Sequence, residues 1–354
     1  MDGSVERRWM KPVAVLLWVA TAAVLLWSVH LLVVRPRLLR SMAFEELKRH
    51  GKIEITQDGV SFLLKEPKQD REVMADLAVL LKRVRCTDLS LNGCPTVHDI
   101  NGLEQLESLL SLSLFSTHVS DLSPLAGLSG LTKLSLSRTP ASDLSPLAGL
   151  SGLTRLQLDR TQVSDLSPLA GLSGLTTLYL WDTQVSDLSP LAGLSRLTML
   201  DLNRTPVTDL SPLAGLSGLT KLNLGGTPVS DLSPLAGLSG LTSLDLHGSN
   251  QLSDLSPLAG LRGLTTLDLS FSKVSDLSPL AGLSGLNKIN LSATPVSDLS
   301  PLARLTGLTK LYVGGTNVND LSPLAGMTNL LEVGIEKNAI VRIPPSLEKV
   351  VIRQ

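Results

Sequence analysis

Leu131 to Gly152 reads LTKLSLSRTPASDLSPLAGLSG, and the same 22-residue unit returns along most of the chain. Its hexapeptide DLSPLA begins at Asp121, Asp143, Asp165, Asp187, Asp209, Asp231, Asp254, Asp276, Asp298 and Asp320, in steps of 22 residues with a single step of 23. Apolar residues fill positions 1, 4, 6, 11, 14, 17 and 20 of the unit. Positions 4 and 6 differ by two, so Leu134 and Leu136 point to one side of a short strand and Ser135 to the other. The Ser-Pro pairs, such as Ser123-Pro124 and Ser145-Pro146, predict short helical starts: Ser is a capping residue, and Pro suits the first helical position because its missing N–H has no partner to lose. Gly127 and Gly130 permit the return to the next strand. One unit cannot bury its leucines alone, so the units must stack into a solenoid.

The pattern LxxLxLxxTxVxxLxxLxxLxx resembles a leucine-rich repeat, and its 22-residue length is similar to that of the internalins and of the leucine-rich regulatory subunits of protein phosphatases. Twelve units begin at Cys86, Leu109, Leu131, Leu153, Leu175, Leu197, Leu219, Leu241, Leu264, Leu286, Leu308 and Leu330. The resemblance implies an α/β solenoid, a curved parallel sheet with short helical or 3₁₀ segments on its convex side, and a role in recognition without catalysis. The chain departs from the family at position 9, where the usual Asn, whose amide ties adjacent turns, is replaced by Thr117, Thr139, Thr161, Thr183, Thr205, Thr227, Thr294 and Thr316. The units at Cys86 and Leu241 each carry one extra residue, expected to be absorbed as a local bulge.

The flanks differ in composition. Residues 12–34, from Pro12 to Val34, form an uncharged run bracketed by Arg7, Arg8 and Lys11 before it and Arg35, Arg37 and Arg40 after it. A helix needs about 20 apolar residues to cross the hydrocarbon layer, so the run predicts a single-pass anchor in a lipid bilayer; it is longer than the apolar part of a cleaved signal peptide and lacks the small residues of a cleavage site. The nearest flanks carry three positive residues each, and Lys48, Arg49 and Lys52 add weight on the C-terminal side, so counting positives favours a cytoplasmic repeat domain. A short basic tail that stays inside favours the opposite, and an extracytoplasmic repeat domain is the expectation. In residues 35–85, Ile53-Glu54-Ile55 and Val60-Ser61-Phe62-Leu63 flank Gln57-Asp58-Gly59 as a hairpin, and Asp70 to Val84 has helical spacing. The expected organisation is a tail over 1–11, the membrane helix over 12–34, a juxtamembrane segment and N-terminal cap over 35–85, repeats over 86–343 and a C-terminal cap over 344–354, which covers the last edge.

Composition narrows the function. A formal net charge of −1 gives no basic footprint for nucleic acid. Cys86 and Cys94 lie at opposite ends of one extended segment and are expected as two thiols. Neither a phosphate loop nor a metal-binding helix is present, and the recurring GLSG cannot be a nucleophile elbow, since a catalytic serine does not come in many copies. No enzyme activity and no cofactor are expected. The repeated Asp of DLSPLA would repel itself as a stacked cation ladder, and each is expected to accept backbone hydrogen bonds at its turn.

Within the repeats, the framework hardly changes while positions 3, 5, 7 and 8 vary; these are expected to face outward along the strands. Only five aromatic residues follow Phe62: Phe115, Tyr179, Trp181, Phe271 and Tyr312. All five fall at those outward positions. Exposed Trp and Tyr are favoured interface anchors, and Tyr179 and Trp181 share one strand rimmed by Asp159, Arg160, Asp182, Asp201, Asn203 and Arg204. Asp201, Asn223, Asp245 and Asp268 form a row that favours a basic partner, whereas Gly225-Gly226 and Gly314-Gly315 are expected to be flat stretches. The expected function is binding of a protein partner on this face, with a membrane-docked regulator of a cytoplasmic enzyme, or a passive surface spacer, as the alternatives.

Overall fold

The computed structural model describes residues 51–55, 60–64, 71–337 and 341–353; the expected anchor at 12–34 lies outside them. Among the described residues no helix is long and apolar enough to cross a membrane.

A single 15-stranded sheet runs the length of the solenoid with its strands in sequence order. β1 (Gly51–Ile55) and β2 (Val60–Leu64) pair antiparallel, and every later pairing is parallel. Helix α1 (Arg71–Val84) then leads into β3 (Cys86–Ser90). Ten three-residue strands follow, from β4 (Ser111–Ser113) to β13 (Lys310–Tyr312), and then β14 (Glu332–Ile335) and β15 (Val351–Arg353). Register is kept by the leucine at position 4: Leu156 pairs with Leu178 and Leu178 with Leu200. One residue of slip would turn each of these leucines to water.

The apolar positions of the unit form one continuous core. In the unit starting at Leu175, that residue and Leu178, Leu180, Val185, Leu188, Leu191 and Leu194 are all buried, none more than 1% exposed. At the far side from the sheet, each DLSPLA motif makes a 3₁₀ turn over Ser-Pro-Leu, as at Ser189–Leu191. Serine does not cap it. The capping position is the preceding Leu, and the Asp two residues before the Ser accepts its backbone N–H instead: Asp187 Oδ1 takes that of Ser189 at 2.8 Å. All ten motifs repeat this bond at 2.8 Å. A carboxylate serves better than a hydroxyl here because it accepts without also competing as a donor.

Adjacent turns are tied at a place other than position 9. Thr183 Oγ1 donates to Leu180 O at 2.8 Å, inside its own turn, and its counterparts do the same. The tie between repeats comes from threonine at position 2: Thr154 donates to Thr132 O at 3.0 Å, Thr176 to Thr154 O at 2.9 Å and Thr198 to Thr176 O at 3.0 Å. The extra residue of the Leu241 unit sits after its strand, and Leu244 still pairs with Leu267. Cys86 and Cys94 are buried thiols whose S–H groups point to Asp88 O and Asn92 O.

Both ends continue the sheet. The hairpin extends the sheet by two strands beyond the first repeat, with α1 placing Leu77, Leu81 and Val84 in the core. Val351–Arg353 adds a last parallel strand on β14.

Candidate surface for recognition

The regular strands stop at position 5, so positions 7 and 8 lie in the turn that follows and not on the strand. Phe115, Trp181 and Phe271 are therefore turn residues, whereas Tyr179 and Tyr312 are on strands. The hydrogen-bond ladder nevertheless continues through this turn. The N–H at position 6 reaches the carbonyl at position 5 of the next repeat, as in Leu158 to Tyr179 at 2.9 Å, and the N–H at position 8 reaches position 7, as in Arg160 to Trp181 at 2.7 Å. Making the second bond forces position 8 into left-handed backbone: φ is 59° at Arg138, 54° at Arg160, 57° at Asp182 and 54° at Arg204.

At the middle of the face, β7 (Thr177–Tyr179) sets two aromatic rings among charges. The Arg155 guanidinium lies 5.1 Å from the centre of the Tyr179 ring and also donates to the Tyr179 hydroxyl at 3.1 Å; that hydroxyl is 3.3 Å from Met199 Sδ. Arg160 lies 4.2 Å over Trp181 and pairs with Asp182 at 3.4 Å. Asp159 is half-buried: its Oδ1 accepts the Trp181 N–H at 3.0 Å and its Oδ2 the Ser137 hydroxyl at 3.0 Å. Burial pushes the Asp159 carboxyl above the usual carboxylate range, and it does the same to Asp201. The side-chain amide oxygen of Asn203, Oδ1, is buried in this patch and has no hydrogen-bond partner among the described residues. The structure thus gathers Asp159, Arg160, Tyr179, Trp181, Asp182, Asp201, Asn203 and Arg204 in neighbouring repeats, and adds Arg138, Arg155 and Met199, which the sequence reading did not single out. Their signal was available: Arg155 and Met199 occupy position 3 one repeat to either side of Tyr179.

The remaining site residues lie elsewhere. Strands are spaced by about 4.8 Å, so Tyr312, six strands from Tyr179, is roughly 29 Å away. It carries its own set of partners: its hydroxyl donates to Glu332 at 3.0 Å, Lys310 pairs with Glu332 at 3.0 Å, and Lys288 Nζ lies 5.7 Å from the ring centre. Phe115 lies under Arg138 at 5.5 Å, and Phe271 is 65% exposed. The row of Asp201, Asn223, Asp245 and Asp268 is already engaged by its own turns. Their Oδ1 atoms accept the N–H groups of Asn203, Gly225, His247 and Ser270 at 2.9–3.0 Å. Asp245 also pairs with the His247 ring at 2.8 Å.

The paired glycines are not featureless. The His247 ring lies over Gly225, where a side chain would collide with it, and Tyr312 lies over Gly334 in the same way. Gly314 and Gly315, with Ser292, Tyr312, Gly334, Ile335 and Glu336, line a shallow cavity of about 200 Å³.

Residues 173–215 and 217–260 match a family model described as leucine-rich repeats, in two copies. No curated protein matches the chain in sequence. Among solved structures, an internalin (InlF) from Listeria monocytogenes is 28% identical with a TM-score of 0.67, over 79% of this chain and 90% of that one. A leucine-rich-repeat protein of Leptospira interrogans is 18% identical with a TM-score of 0.62, over 82% of this chain and 88% of that one. TLR13, solved with a single-stranded RNA, is 19% identical with a TM-score of 0.59, over 80% of this chain and 55% of that one, and shares the fold alone.

Proposed function

We propose that this leucine-rich-repeat protein is a membrane-anchored recognition module that holds a partner protein on its strand face, at the patch around Tyr179 and Trp181. Leucine-rich-repeat solenoids are general protein-interaction modules, and one fold takes many ligands, so the site must carry the argument. What supports the reading is the pairing of an amphipathic aromatic pair with arginines on both sides, Arg155 on Tyr179 and Arg160 on Trp181. Trp, Tyr and Arg dominate binding energy at protein interfaces. The uncharged run at 12–34 with its basic flanks supports the anchor, and the short basic tail supports an extracytoplasmic repeat domain.

A photo-crosslinking residue placed at Thr177 in intact cells should give a protein adduct, and one at exposed Ala192, beside the 3₁₀ turn on the far side of the unit, should not. Trp181→Ala should leave the melting temperature unchanged and weaken the partner by about 2 kcal/mol or more, as truncation of an anchor does, so the Thr177 adduct disappears. Equal labelling from both positions, or an adduct indifferent to Trp181, sinks the reading and favours a passive spacer. Protease digestion of the repeats in intact cells supports the extracytoplasmic placement; protection until the cytoplasmic side is opened overturns it and favours a docked enzyme regulator.

A further inference from the structure

We infer that the turn edge of the sheet formed by Arg138, Arg160 and Arg204 is a binding rail for an extended acidic segment of the partner protein. This rests on the strand-face reading and names the chemistry of what binds there.

Position 8 is left-handed because its N–H must reach the next repeat: Arg138 to Asp159 O at 2.8 Å, Arg204 to Gly225 O at 2.7 Å, Gly226 to His247 O at 2.6 Å. Glycine meets that demand without steric cost, and this chain uses it at Gly93, Gly226, Gly248 and Gly315, with Ser116, Phe271 and Ala293 at the same position of other repeats. Four consecutive repeats instead carry long or charged side chains, at 138, 160, 182 and 204, where a bulky residue is strained. A strained residue that the fold could replace at no loss points to use by something outside the fold.

Contacts within the molecule do not explain the arginines. Among the described residues, no hydrogen bond or ion pair engages the guanidinium of Arg138 or Arg204; Arg138 only lies over Phe115. Arg160 has an ion pair with Asp182, but both side chains are well exposed, at 39% and 47%, and such pairs add little. The same four repeats hold Tyr179 and Trp181, and the rail ends where Gly225-Gly226 begins.

Geometry selects the ligand class. Repeats advance by about 4.8 Å, so the span from Arg138 to Arg204 is roughly 14 Å, the length of about four extended residues. Guanidinium groups bind carboxylates as two-pronged forks, one at a time. A single-stranded nucleic acid would need an unbroken positive groove and open ring faces for its bases. Here Asp159 and Asp182 interrupt the charge, and Arg138 and Arg160 already cover faces of Phe115 and Trp181.

The test uses the full chain in a non-ionic detergent at low salt, with a fluorescein-labelled oligoglutamate, the matching oligoglutamine and a single-stranded oligouridine as probes. Oligoglutamate should bind and oligoglutamine should not. The triple variant Arg138→Gly, Arg160→Gly, Arg204→Gly should bind oligoglutamate about tenfold more weakly or worse, while its melting temperature rises. Binding of oligouridine in preference to oligoglutamate overturns the proposal in favour of nucleic acid. Oligoglutamate binding that is absent, or unchanged in the triple variant, also overturns it, and a lower melting temperature for that variant shows that the fold itself needs the arginines and removes the premise. A Thr177 adduct without oligoglutamate binding defeats only this inference; the reverse result defeats the strand-face reading instead.

Discussion

The turns at 138–204 and those at 226–315 are built on one framework and end in different surfaces. Under both, the stacked position-4 residues are fully buried, Leu178 and Leu200 in the first stretch and Leu267 and Ile289 in the second. Both carry the same ladder through a left-handed residue at position 8. The first stretch spends that position on Arg138, Arg160, Asp182 and Arg204; the second places Gly226, Gly248 and Gly315 there, with Phe271 and Ala293 between them. At position 5 the two stretches share a device: Asn290 bonds both the Ser292 N–H at 3.1 Å and Asp268 at 2.9 Å, and Asp201 in the first stretch takes the Asn203 N–H at 3.0 Å. Comparing repeats therefore separates side chains that complete the fold from side chains whose polar groups are left for a partner.

If the framework is common, it should fail equally in both places. Leu178→Asp and Leu267→Asp each put an unpaired charge in the leucine stack and should cost about 4 kcal/mol or more. Thermal unfolding followed by circular dichroism should show the two losses matching. A melting temperature unchanged by either substitution would break the assigned register, and a large disparity would mean that the two stretches do not share one core.

A smaller effect tests the strain that distinguishes the stretches. Gly226 has φ of 67°, and a Cβ there would come within 3.3 Å of the flexible Arg204 Cγ. Gly226→Arg should thus be accommodated sterically and cost about 1 kcal/mol for its left-handed backbone. Denaturant unfolding measures it. No change would mean that the turn bears a side chain freely, and the contrast between Arg204 and Gly226 would lose its energetic meaning.

The solenoid was legible because its period and its seven apolar positions are spelled out in every unit; the hairpin strands and α1 were legible from turn and helical spacing. What was hidden had no compositional mark. A left-handed backbone is obvious when glycine occupies it, but Arg138 or Arg160 at the same place looks like any surface residue. Ser-Pro suggested a serine cap, which the structure does not form, whereas the bond expected of the Asp at its turn is made in every motif. Thr132, Thr154 and Thr176 belong to no motif, although their hydroxyls tie the repeats together. The aromatic residues fall at the positions read from the repeat, but spacing alone could not say that Phe115, Phe271 and Tyr312 lie in separate neighbourhoods from Tyr179 and Trp181.

The acidic groups give the smallest and most diagnostic effect. Burial raises the Asp159 and Asp201 carboxyls, so each disfavours the fold while ionised. That penalty is present at neutral pH and is relieved as pH falls through the raised values toward the ordinary 3.8. The ten DLSPLA aspartates behave oppositely. In Asp187, for example, the Ser189 hydroxyl and then its backbone N–H hold the carboxyl below 3.8, so its contribution is present above that value and lost as pH falls through the lowered one. Acidification should therefore first strengthen the fold slightly and then weaken it. Asp201→Asn isolates the first phase, because Asn223 and Asn290 already make the same turn bond in neighbouring repeats, to Gly225 and Ser292. Its melting temperature at neutral pH should equal or slightly exceed that of the wild type, and its gain on acidification toward about pH 4 should shrink. A variant that is less stable at neutral pH, with the acid response intact, would show that the Asp201 carboxylate is needed charged on the strand face, and the burial argument for this column would fail.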